Sequence, residues 1–288
     1  MRRSLLVLLA LCAASFPIPL HAAPLRVVCA EAVWCNIAQQ LGGETVHTDS
    51  ILTSRQIDPH DFQVSPETAR RVAQADIVVE NGAEYDSWID SLLDGQENPS
   101  RDVINIGQTA SWRPGDNPHL FDDVRAVRLY AERLTDILKQ RLPDKKAELD
   151  TQAAAFAHDL DKLQARLSTL RFQFNGVEVA ASEPIGGPLF KALGISVTDP
   201  DFALAIMNHN EPSPEAVANL EDTLRHHDVR ALIINPVVSD PAVDRLIELA
   251  QHVGVPVLPL MEMLPADQNW QDWLNARIDA IAQALRPS

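Results

Sequence analysis

Positive charge, aromatic residues and cysteine are all scarce in this chain of 288 residues. Lys and Arg number 24 against 40 Asp and Glu, a formal net charge of -16. A surface of that sign repels nucleic-acid phosphates and anionic membranes, so neither is an expected partner. It suits a soluble protein that attracts cations. Aromatics make up 5% of the chain, too few to suggest a site for a large planar ligand. There is no His-Glu-x-x-His pair and no Gly-x-Ser-x-Gly elbow, which removes two common hydrolase signatures. Past residue 23 no apolar run is long enough to span a bilayer. Close internal repeats and low-complexity segments are also missing. The rest is globular in composition, 46% hydrophobic and 22% charged, and long enough for two domains with a core each.

Residues 1–23 have the form of a secretory signal. Arg2 and Arg3 precede an apolar run from Leu5 to Ala14, and Ala22 and Ala23 supply small residues, with the cut expected after Ala22. Leu11, before Cys12, is not the small residue that a lipid-attachment site needs. Export to the periplasm puts Cys29 and Cys35 in an oxidising compartment. A local disulfide between them is one reading and two buried free thiols the other. A dithiol metal site is less favoured, because no histidine lies near them in sequence.

The pattern of the chain is organised around Leu149 to Leu170. Leu149, Ala153, Phe156, Leu160, Leu163, Leu167 and Leu170 recur at alternating spacings of four and three, an apolar seam on one long helix. Such a seam serves either a coiled-coil dimer or a rigid helix packed on two flanking lobes, and three heptads without continuation favour the second. On both sides of it, short apolar strands alternate with helices, which implies parallel sheets covered on both faces. The expected fold is α/β: an N-terminal lobe over residues 24–142, a connecting helix over 143–171 and a C-terminal lobe over 172–288.

In open α/β sheets, ligands bind beyond the carboxyl ends of the strands. Four residues able to ligate a metal follow strands directly or through a loop. They are His60 in Asp58-Pro59-His60-Asp61, His119 in Asn117-Pro118-His119-Leu120, Glu183 in Ser182-Glu183-Pro184 and Glu262 in Met261-Glu262-Met263. Two precede the central helix and two follow it, as a metal held between lobes requires. Each also has a plainer use: a turn with an exposed ring for either histidine, a helix cap for Glu183, a solvated loop acid for Glu262. His209, in the polar Asn208-His209-Asn210-Glu211, is the strongest remaining histidine. His158, His226, His227 and His252 lie on polar helix faces or at helix ends.

Asp58-Pro59-His60 followed by a Ser-Pro helix, then Ala75-Asp76-Ile77-Val78-Val79-Glu80-Asn81-Gly82, resembles the metal-binding family of ABC-transporter solute-binding proteins. Asn117-Pro118-His119-Leu120-Phe121-Asp122 is similar to that family's second histidine motif, usually Asp-Pro-His-x-Trp. Glu211-Pro212-Ser213-Pro214 and Met261-Glu262-Met263-Leu264-Pro265 resemble its later segments. The likeness covers the whole mature chain, and it implies two α/β lobes joined by one long helix. It makes His60 and His119 the N-lobe metal ligands and Glu183 and Glu262 the C-lobe ligands. Glu262 stands where most members carry aspartate, and Glu183 where zinc-type members tend to have a third histidine and manganese-type members a glutamate. The long His- and acid-rich insertion of many zinc-type members is missing.

The resemblance implies an exported monomer that captures a divalent transition metal and delivers it to an ABC-type membrane permease. No enzyme is implied: all four coordination positions come from the protein, leaving no open position for a reactive water. Two imidazoles and two carboxylates accept Mn²⁺, Fe²⁺ or Zn²⁺, and Mn²⁺ is favoured over Zn²⁺ here. The alternatives are a metal-dependent hydrolase and a carrier of chelated iron or a corrinoid with the same helix-bridged architecture.

Overall fold

The computed structural model describes residues 23–54, 57, 59–95 and 98–286. Residues 1–22 of the expected leader and Asp58 lie outside the described residues. The first half runs β1 (Leu25–Glu31), α1 (Ala32–Gly42), β2 (Val46–Leu52), α2 (Pro66–Ala73), β3 (Ile77–Glu80), α3 (Trp88–Asp94), β4 (Asp102–Asn105), α4 (Ile106–Ala110) and α5 (Val124–Arg141). The long helix α6 spans Lys146–Phe174. After it come β5 (Glu178–Ala181), α7 (Gly187–Leu193), β6 (Ser196–Thr198), α8 (Pro200–Met207), α9 (Pro214–Arg225), β7 (Leu232–Ile234), α10 (Pro241–Val253), β8 (Val257–Pro259) and α11 (Trp270–Ala284).

Each half builds one four-stranded parallel sheet, and the two share one topology: β2-β1-β3-β4 and β6-β5-β7-β8. Parallel strands must be covered on both faces, and Val27, Val28, Cys29 and Ala30 of β1 are all fully buried. Local chemistry starts the helices where expected. The Ser65 hydroxyl accepts from Thr68 N at 3.1 Å with Pro66 at the first helical position, and Ser213 does the same for Ala216 N ahead of Pro214.

The apolar seam of α6 is consumed within the chain. Leu149, Phe156, Leu160, Leu163 and Leu167 are all buried, and the helix packs on α1 and α5 of one lobe and on α7 and α11 of the other. That leaves no free stripe for a coiled-coil partner along those positions. Each such side chain contributes roughly 2 kcal/mol on burial, enough to hold a helix that no N-terminal side-chain cap supports. One contiguous core runs from Val27 and Ile77 of the first sheet through Leu160 to Ile233 and Leu258 of the second. The C-terminal helix α11 also reaches across: Trp270 N donates to Asn36 Oδ1 of α1 at 3.0 Å, and Gln271 pairs with Gln40.

Three details add to the sequence reading. Strand β1 runs on to Glu31, because Glu31 pairs with Leu52 of β2. Helices α4 and α8, of 5 and 8 residues, are too short to display a period in the sequence. The structure joins Cys29 to Cys35 in a disulfide with Cα atoms 5.5 Å apart, tying the end of β1 to α1.

Candidate metal centre

In both sheets the strand order reverses beside the first strand of the half, β1 or β5, so the crevice for a ligand opens at the carboxyl ends of β1 and β3 and of β5 and β7. Glu183 leaves the end of β5, and Asn235 leaves the end of β7. Asn235 Nδ2 donates to Glu183 Oε2 at 2.8 Å, which aims that carboxylate. Opposite, Asn81 leaves the end of β3. Its Nδ2 donates to Pro118 O at 2.9 Å and seats the loop that carries His119.

Asn117 sets the His119 ring. Its Oδ1 accepts from His119 N at 3.0 Å and lies 2.9 Å from His119 Nδ1, while its Nδ2 donates to Pro184 O, beside Glu183, at 2.6 Å. The amide's use of its nitrogen on Pro184 O leaves Oδ1 as an acceptor, so His119 Nδ1 carries a proton. This close approach needs a glycine at 187, since a Cβ there would meet Asn117 Nδ2 at 2.2 Å. Nε2 of His119 then faces Glu262 Oε1 at 2.8 Å, and Tyr85 Oη donates to Glu262 Oε2 at 3.2 Å. His60 stands beside this pair, with its ring centroid 4.7 Å from Tyr85 and 6.5 Å from His119.

His119 is fully buried, Glu183 and Glu262 nearly so, and His60 half-buried. Burial alone would lower the His119 pKa. The charge and hydrogen bond of Glu262, followed by the charges of Asp122 and Glu183, outweigh it and hold the imidazole above its usual value. Burial alone would raise Glu262. The charge and hydrogen bond of His119, then His60 and the Tyr85 hydroxyl, bring that carboxylate below its ordinary range. With Nδ1 already donating to Asn117, one proton is shared between His119 Nε2 and Glu262 Oε1, and each group's shift favours its charged form.

The structure thus brings His119 and Glu262 into direct contact, sets His60 next to them and places Glu183 within electrostatic reach of His119. Among the described residues no group of three or more His, Cys, Asp or Glu side chains is arranged to hold a metal ion as it stands. The four residues expected as ligands, His60, His119, Glu183 and Glu262, would offer two imidazoles and two carboxylates, a set that suits a borderline cation. His209 lines a separate cavity of about 440 Å³ with Asp240 and Arg245; His158, His226, His227 and His252 are exposed on helices or their ends. Sequence reasoning missed Tyr85, Asn117 as an orienting group, and Asn235. Asn235 could have been found by the rule that picked Glu183, since it too follows a strand of the same sheet.

Fold and loops together define a two-lobe binding protein with one bridging helix. A family model described as zinc-uptake complex component A, periplasmic, matches residues 27–284, and the chain belongs to that family. It is 22% identical over 285 residues to the manganese ABC transporter substrate-binding lipoprotein PsaA of Streptococcus anginosus, covering 91% of this chain and 89% of the relative. Among solved structures, the periplasmic zinc binding protein TroA from Treponema pallidum matches with a TM-score of 0.77 at 20% identity, over 92% of this chain and 100% of that one. FpvC from Pseudomonas aeruginosa, in complex with Mn²⁺, matches with a TM-score of 0.73 at 20% identity, over 91% and 98%.

Proposed function

We propose that this protein captures a divalent transition metal ion between its lobes, outside the cytoplasmic membrane, and delivers it to an ABC-type permease. The observation that carries the reading is the His119–Glu262 contact, in which a nitrogen from one lobe and an oxygen from the other meet in a buried place at 2.8 Å. A cation would replace the proton between them, and His60 and Glu183 would complete the set. Membership of the zinc-uptake family and the manganese or zinc named for its relatives support the same cargo. The lobes of the proposal are residues 24–142 and 172–288, joined by 143–171, in a monomer.

Mn²⁺ is favoured as the physiological ion because both C-lobe ligands are carboxylates, which raise the coordination number when they bind through two oxygens. Zinc will still compete, since intrinsic affinity rises from Mn²⁺ to Zn²⁺. The test is elemental analysis of protein purified without added metal, followed by competition titration with Mn²⁺ and Zn²⁺. One equivalent of metal, lost when His119 or Glu262 is replaced by alanine and retained in His209→Ala, supports the site. No bound metal under any condition removes it. Turnover of generic esters or peptides would favour a hydrolase instead.

A further inference from the structure

Three residues beyond His119, in the same loop, Asp122 forms an ion pair with Arg277 of α11 at 2.7 Å; the side chains are 0% and 4% exposed. The second arm of the same guanidinium donates to Met261 O, the carbonyl preceding Glu262. The guanidinium lies over the Trp273 ring, 4.8 Å from its centroid. Trp273 in turn packs on Phe121, and Trp270 Nε1 donates to Phe121 O at 2.9 Å. The loop carrying His119 is therefore docked on the C-terminal helix, and the loop carrying Glu262 is held by the same arginine.

Stability alone does not account for this pair. Desolvating two charges offsets most of their attraction, and a buried pair gains only when its remaining polar atoms are also served. Here Asp122 Oδ1 and Arg277 Nε make no hydrogen bond among the described residues. What the arrangement does supply is placement across the lobe boundary, through a planar fork that lysine cannot reproduce.

We propose that Arg277 is a positioning residue for metal capture. By gripping Asp122 and Met261 O together it holds Glu262 against His119 as a prebuilt half-site, onto which His60 and Glu183 close. The proposal rests on the metal-capture reading above. Groups that orient a metal ligand in this way typically affect affinity by roughly 10–100-fold.

The test is a mutant cycle read by competition titration with Mn²⁺ and Zn²⁺. Asp122→Leu with Arg277→Met removes both buried charges at similar volume, and a cooperative thermal melt checks that it folds. The expected result is a Kd weakened about tenfold or more, with the same loss in a Glu183→Ala background and none beyond the Glu262→Ala effect in a Glu262→Ala background. An unchanged Kd, or an equal further loss with Glu262 already gone, overturns the positioning role. Should the double variant not melt cooperatively, Arg277→Lys is read in its place against the same two backgrounds and the same outcomes. A wild-type protein that binds neither ion refutes the capture reading and this one with it. A wild-type protein that binds, beside a variant that binds equally well, refutes only the role of Arg277.

Discussion

His119 Nε2 and Glu262 Oε1, 143 residues apart in the chain, lie 2.8 Å from each other across the boundary between the lobes. A metal at His119 must displace the proton that holds this contact. Because Glu262 raises the His119 pKa above its ordinary 6.5, the proton competes at a higher pH than for a free imidazole. Metal affinity is expected to weaken on acidification with an onset above pH 6.5. Replacing Glu262 with glutamine should move that onset down. The check is Kd for Zn²⁺ and Mn²⁺ between pH 5 and 8, and a flat profile would show that the bound atom is not an imidazole nitrogen.

The groups that orient the ligands should matter in proportion to what they touch. Asn117→Ala removes the acceptor at His119 Nδ1 and the link to Pro184 O, and is expected to weaken metal binding roughly 10–100-fold. Tyr85→Phe loses one hydroxyl donor to Glu262 and should cost about 1 kcal/mol, or roughly fivefold. Competition titration ranks them, and the reverse order would contradict the orientation described here.

Three carboxyls with no part in the ligand set lie buried around the ends of β1 and β3. Burial, followed by the charge of Asp86, raises Glu80 to about 8. Burial raises Asp86 to about 7 against the pull of the Asn81 and Gly82 amides. Glu31 is raised as well, by burial and then by Asp86. A carboxyl with a raised folded pKa binds its proton more tightly in the folded chain. Its contribution is full below the unfolded value and is lost as pH rises toward the folded one. For Glu80 that window runs from 4.5 to about 8. Metal-free protein should therefore lose thermal stability across it, and Glu80→Gln, which keeps an acceptor for Asn105 Nδ2, should flatten the decline. Thermal melts with a chelator present at pH 5, 6, 7 and 8 decide the matter; equal slopes for both proteins would refute it.

The Cys29–Cys35 bridge closes a short loop, separation 6, so loop-closure entropy makes it worth about 2 kcal/mol. Cys29→Ala with Cys35→Ala should lower stability by about that much, as measured by urea denaturation. Two thiols that label readily in the unfolded, unreduced protein would show that the bridge is not formed.

A site assembled only by folding stabilises the folded state when metal fills it, so saturating Mn²⁺ or Zn²⁺ should raise the melting temperature, by about 4 kcal/mol of apparent stability at a thousandfold excess over Kd. Chelation should reverse the shift. An unchanged melt at saturating metal would argue against a site between the lobes.

Much of this was legible before any coordinates. The Leu149 to Leu170 seam announced a long helix because its period is carried by seven apolar residues. The four candidate ligands were found because each follows a strand of a parallel sheet. Helix α8 stayed hidden because Phe202, Ala203 and Ile206 make a stripe only two turns long. Tyr85, Asn117 and Asn235 were missed for another reason. Orienting a ligand requires a particular angle and distance, and neither is written in residue type. The Asp122–Arg277 pair was further out of reach, since 155 residues separate partners that only the folded chain brings together.

Because the largest of the hydrophobic clusters is threaded by α6 and shared by both sheets, swinging the lobes apart would expose Leu149, Leu160 and their neighbours to water. Such a vessel would resist a wide opening, because each Å² of apolar surface exposed costs about 25 cal/mol. Its cargo would escape by the breaking of individual ligand bonds rather than through a widening mouth, and rapid unloading would then fall to whatever docks against its rim.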